Sequence, residues 1–75
     1  MPRSDFSDSE HRRKFGDRIR ALRTEAGLTQ ERLAELADLD RSYLANVEGG
    51  GRNPTLDVMH RLAVALKVDI RELFA

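Results

Sequence analysis

Five side chains in one short stretch, Arg41, Ser42, Tyr43, Ala45 and Asn46, bring together a forked guanidinium, two hydroxyls, a methyl and a carboxamide. On a helix these positions form an outward edge, 41 to 43 on the first turn and 45 and 46 on the next. That set suits the edges of nucleobases in a major groove, where each base pair shows its own pattern of donors, acceptors and methyls. Arg41 can fork onto O6 and N7 of guanine, and Asn46 can bond an adenine edge or a phosphate. Ser42 can serve either kind of contact, Ala45 leaves room or meets a thymine methyl, and Tyr43 is either a contact or packing at the helix edge. Arg52 and Asn53, just beyond the stretch, are placed to grip a phosphate backbone on its flank, against the plainer readings of a solubilising charge and a turn residue before Pro54.

Other chemistries find no constellation. His11 and His60 are far apart, no carboxylate and histidine set has metal-ligand spacing, and no serine stands beside a partner base. Gly49, Gly50 and Gly51 lack the preceding strand and the following Lys-Ser/Thr pair of a phosphate loop, so they read as a turn. Neither an enzyme nor a cofactor is expected.

The elements that must present the outward edge are two short helices. Leu33, Ala34 and Ala37 fall on one helical face, the pattern breaks at Asp38 to Asp40, and Leu44 and Val47 point inward in the next run. Thr29 and Asp40 are cap residues for the two starts. Small Ala34 and Ala37 allow close approach and Leu39 plugs the corner, which together read as a helix-turn-helix.

Around this unit, residues 1–9 have no periodicity and are read as a flexible arm; following DNA with Arg3 is weakened by Asp5 and Asp8. From about Glu10 to Ala26 a helix carries Phe15, Ile19, Leu22 and Ala26 as one stripe, with Gly27 as its left-handed stop. Arg12, Arg13 and Lys14 near its start either touch phosphates or form a solvated face, and both readings stand. Thr55 caps a helix of about Leu56 to Lys67 with Leu56, Met59, Leu62, Ala63 and Leu66 on a broad apolar face. Asp69 and Glu72 have capping-box spacing for a final short helix with Ile70, Leu73 and Phe74. The expectation is an all-α fold of five helices in a single domain, residues 10–75.

Seventy-five residues suit one small domain, whose core alone supplies about 3–5 kcal/mol of net stability. The absence of cysteine fits a reducing cytoplasm, and the chain carries neither a membrane-length apolar run nor a signal-peptide core. A soluble cytoplasmic protein is expected. Thirteen basic and thirteen acidic residues cancel, so bulk charge gives no pointer to nucleic acid and placement has to supply it. One helix covers only a few base pairs, so tight binding calls for two, about 34 Å apart on a palindrome. The apolar surplus at the C-terminal end suggests Val58, Ile70 and Phe74 as a homodimer interface, unless they are core.

The run from about Phe15 to Phe74 resembles the Xre-like (Cro/C1-type) family of phage and bacterial repressors. More narrowly, KFGDRIRALRTEAGLTQERLAELADLDRSYLANVEGGGRNPTL is similar to the controller proteins of restriction-modification systems. The resemblance implies a lambda-repressor-like fold and a structural ion pair between Arg23 and Glu48. It also implies a phosphate contact at Gln30 and a contact role for Tyr43, which sits in an Arg-Thr/Ser-Tyr triplet opening the recognition helix. Two departures stand out: Asp38 where the family usually has glycine, and Gly50 where it often has a basic residue. The implied function is transcriptional regulation by a dimer on operator DNA, with autoregulation of its own promoter if it is a controller. Glu35, Asp38 and Asp40 then form an acidic patch that can meet RNA polymerase or simply face solvent. The rivals are a phage-type repressor or antitoxin of the same fold, and a protein-interaction module.

Overall fold

Helix starts in this chain are fixed by side-chain caps. Thr29 Oγ1 accepts from the Arg32 N–H at 3.0 Å, Asp40 Oδ2 from Tyr43 N–H at 3.3 Å and Thr55 Oγ1 from Val58 N–H at 3.1 Å. Each satisfies one of the amide groups that a first turn leaves without a partner. In the computed structural model, which describes residues 8–75, these caps open α2 (Gln30–Leu36), α3 (Arg41–Glu48) and α4 (Leu56–Leu66), after a long α1 (Asp8–Glu25).

All four helices end in the same way. The backbone N–H of Leu28, Leu39, Gly51 and Val68 reaches back to the carbonyl of Arg23, Ala34, Asn46 and Ala63 respectively, at 2.8–3.0 Å. Each bond closes over one residue in the left-handed region, which is the Schellman geometry. Gly27 and Gly50 fill two of these positions (φ 74° and 81°), as glycine does without cost. Asp38 (φ 56°) and Lys67 (φ 60°) fill the other two, where a Cβ is unfavourable.

Packing follows the apolar stripes. Ile19 and Leu22 of α1, Leu33 and Ala34 of α2, Leu44 of α3 and Val58, Leu62, Ala63 and Leu66 of α4 close over Leu73, with Ala37 at the α2–α3 corner. Leu39, half-buried, packs against this core at the turn as the sequence implies. Where α1 crosses α3 the helices approach so closely that Gly16 is required. A Cβ there would lie 2.5 Å from the Glu48 carbonyl oxygen and 2.8 Å from its carbonyl carbon.

The described residues depart from expectation in five places. The fifth element is a 3-10 helix, Ile70–Phe74, so the fold has four α-helices and this turn, without strands among the described residues. Glu72 does not complete a capping box, because Arg18 draws it away: Arg18 Nε donates to the Glu72 carbonyl at 2.7 Å and Nη2 to Oε1 at 3.1 Å. Helix α1 begins at Asp8, so Asp8 and Ser9 are helical and the rest of the expected arm lies outside the described residues. Leu56, expected in the apolar face of α4, is 70 % exposed, and Ala26, expected on the apolar stripe of α1, is exposed just beyond that helix; Val58, read as interface or core, is 8 % exposed and packs in the core.

Candidate nucleic-acid interface

The inner face of α3 is immobilised by its last residue. Glu48 is 1 % exposed, and an isolated carboxylate at such a site would be strongly disfavoured. Arg23 answers it with two bonds, Nε to Oε2 at 2.6 Å and Nη2 to Oε1 at 3.0 Å, in the forked geometry suited to a carboxylate. Arg23 Nη1 also donates to the Leu28 carbonyl at 2.9 Å, which ties the α1–α2 turn into the same knot. Gln30 Nε2 donates to Glu48 Oε1 at 3.0 Å, and Arg20 Nε stands 3.7 Å from the same oxygen. The first residue of α2, the last of α3 and the C-terminal turns of α1 are thereby locked together. No buried side-chain polar atom among the described residues is left without a partner.

The outer edge of α3 is the converse. Arg41, Ser42 and Asn46 are exposed and Ala45 is half-buried. Their side chains form no hydrogen bond or ion pair with another described residue, so their polar tips are available. Tyr43 is half-buried, packs against the core and lies under Arg52, whose guanidinium carbon is 5.6 Å from the ring centroid. Such a cation–π contact contributes about 0.5–1 kcal/mol at an exposed site. Asn53 is exposed beside Arg52, on a loop whose Pro54 is buried.

The interface residues expected from sequence therefore gather as follows. Arg41, Ser42, Tyr43, Ala45 and Asn46 share α3, Arg52 and Asn53 flank its C-terminal end, and Gln30 reaches the same end from α2. Gln30 spends one N–H on Glu48 and keeps a second for another acceptor. Val58, Ile70 and Phe74 divide: Val58 is core, Ile70 half-buried, and Phe74 62 % exposed with its ring 5.4 Å from that of Phe15. Sequence reasoning missed Gly16 and Arg20. A lone glycine three residues before Ile19 on the buried stripe was the available signal for a close backbone approach. Arg20 carried none.

Charge is sorted as well as balanced. Arg18, Arg20, Arg23, Arg32, Arg61 and Arg71 each lie within 4 Å of a carboxylate. Arg41 and Arg52 have no such partner among the described residues, so cancellation of net charge leaves the α3 side of the molecule with free cations. No group of three metal-ligating side chains occurs among the described residues, and no helix among them is long and apolar enough to cross a membrane.

Comparison with known proteins gives this geometry its context. The immunity repressor protein of Bacillus phage phi105 is 47% identical over 55 residues, 73% of this chain, although the chain spans only 38% of that repressor's length. The restriction-modification controller protein C.AhdI from Aeromonas hydrophila superposes with a TM-score of 0.86 at 52% identity, covering 87% of this chain and 98% of that one. The controller C.Esp1396I, as a tetramer in complex with its natural 35 base-pair operator, superposes with a TM-score of 0.74 at 30% identity over 85% of this chain and 95% of that one. The Helix-turn-helix family HTH_3 matches residues 19–73, the span that holds the Glu48 knot and the exposed edge of α3, and this chain belongs to that family.

Proposed function

We propose that this chain is a sequence-specific DNA-binding regulator of transcription that acts as a homodimer on palindromic operators, in the role of a restriction-modification controller governing its own promoter. The observation that carries this reading is the two-sidedness of α3: a buried end held by Arg23, Gln30 and Arg20, and an outer edge of unpartnered hydrogen-bonding groups. Arg41, Ser42, Tyr43, Ala45 and Asn46 are the base-reading positions. Gln30, Arg52 and Asn53 hold phosphates and set the register that those readers exploit. The C.AhdI chain, 98% covered by this one, favours a stand-alone controller, whereas the identity to the phi105 repressor favours a phage-type repressor. The genes beside it decide between them.

Dimerisation supplies the second recognition helix. Phe74 and Ile70 at the C-terminal end, with Val64 (62 % exposed) on the outer face of α4, are the apolar groups offered to a second copy, and Val58 supports them from within the core. RNA polymerase is a further partner: Glu35, Asp38 and Asp40 are all exposed at the α2–α3 corner.

Arg41→Ala and Gln30→Ala separate the two kinds of contact. Arg41→Ala flattens base preference at one position per half-site, at about 1–3 kcal/mol of discrimination, while Gln30→Ala weakens all sequences alike. The reverse pattern overturns the assignment of roles.

A further inference from the structure

The first turns of α1 carry Arg12, Arg13 and Lys14, and none of them has a carboxylate within 4 Å among the described residues. Six arginines of this neutral chain are paired, and these three cations join Arg41 and Arg52 among those that are not. The run is also not remote from α3. At Gly50 a Cβ would lie 2.9 Å from the Arg13 Cα and 3.1 Å from its Cβ, so the backbone of the glycine turn rests directly on Arg13. Its neighbours Arg12 and Lys14 line a groove of about 420 Å³ together with Asn53 and Pro54 of the same loop. The loop that bears Arg52 is thus in contact with Arg13 through Gly50 and shares a groove with Arg12 through Asn53.

From this continuity we infer that Arg12 and Arg13 form, with Arg52 and Asn53, one basic ridge that binds the phosphate backbone of duplex DNA beyond the reach of α3. The inference rests on the DNA-binding reading above and adds a contact surface to it. The ridge also accounts for Gly50. A side chain there would need the left-handed region (φ 81°) and would push the loop off Arg13, so the glycine that lacks a charge is what lets Arg13 stand where a charge is needed. Lys14 lines the same groove and follows Arg13 by about 100° round the helix.

The test uses the full chain and a duplex that it selects from a random library. Arg12→Gln with Arg13→Gln removes two charges from exposed or half-buried positions of a helix and keeps good helix formers. Each phosphate neutralised contributes about −0.9 to the slope of log affinity against log salt. Each protomer of the dimer loses two contacts, four per complex, so the double variant is expected to lose about 3.6 from that slope, and raising salt from about 50 to 200 mM costs the parent about 150-fold more affinity than the variant. Its base-preference profile and melting temperature stay those of the parent, and Lys67→Gln, an exposed cation at the end of α4 outside this groove, leaves the slope unchanged. An unchanged slope in the double variant overturns the ridge, and so does an equal loss per charge in Lys67→Gln, which would signify general charge and not directed contact. Failure of the parent chain to select any duplex refutes the DNA reading itself, a separate outcome.

Discussion

Replacing Gly16 by alanine sets two physical effects of opposite sign against each other at a site where the structure says which prevails. In an isolated helix the change is favourable by about 0.8–1.0 kcal/mol, since alanine is the better helix former. Here the added methyl would meet the carbonyl oxygen of Glu48 at 2.5 Å, against the 3.4 Å at which ordinary contact begins. The obstructing atoms are backbone, so no rotamer relieves them, and α1 must move from the end of α3 by nearly an ångström. Overpacking of this kind costs about 1–3 kcal/mol, and the same displacement stretches the Arg23–Glu48 fork. The net expectation is a loss of about 1–2 kcal/mol, which for a domain of this size lowers the melting temperature by about 4–16 °C. Urea titration at fixed protein concentration reads the change, and concentration is held because association adds its own stabilisation. Unchanged or raised stability would refute the close α1–α3 approach.

Breaking the buried knot has a larger effect: Arg23→Met leaves the Glu48 carboxylate without its fork and is expected to cost about 3–5 kcal/mol, enough to leave much of the chain unfolded by circular dichroism. Lys67→Gly relieves a left-handed residue (φ 60°) and raises stability by about 1 kcal/mol in the same urea assay, with a smaller gain for Asp38→Gly because aspartate tolerates that region better. Phe74→Glu shifts the solution mass toward the monomer at tens of micromolar if the C-terminal apolar groups join two copies. The carboxyl of Asp69 is held below its ordinary value by hydrogen bonds from the side chain and then the backbone N–H of Arg71. A lowered value means that its cap contributes above the unfolded value and is lost as pH falls through the folded one. Fraying of the 3-10 helix in strong acid, absent in Asp69→Asn, follows and is visible by amide exchange.

What could be read in the sequence was local chemistry with a repeat or a cap behind it. Thr29, Asp40 and Thr55 announced three helix starts because a side-chain oxygen three residues ahead of a free amide has few other uses, and all three accept those bonds. The outward edge of α3 was legible because Leu44 and Val47 fix the buried side and leave 41, 42 and 46 opposite. The Arg23–Glu48 pair spans 25 residues and came only through family resemblance, which a periodicity argument cannot replace. Long-range competition also hid the end of the chain. The local pattern at Asp69 and Glu72 favoured an α-helical capping box, and Arg18, 54 residues away, took the Glu72 side chain. Along α4 the apolar residues outnumber one face, so the sequence could not say that Leu56 would be left out and Val58 taken in.

Sequencing the duplexes that the chain enriches from a random pool decides whether α3 reads bases. An inverted repeat is expected, with half-sites centred about 10 base pairs apart and a guanine in each that Arg41→Ala no longer requires. Recovery of a random pool, retained equally well as salt is raised, would contradict it.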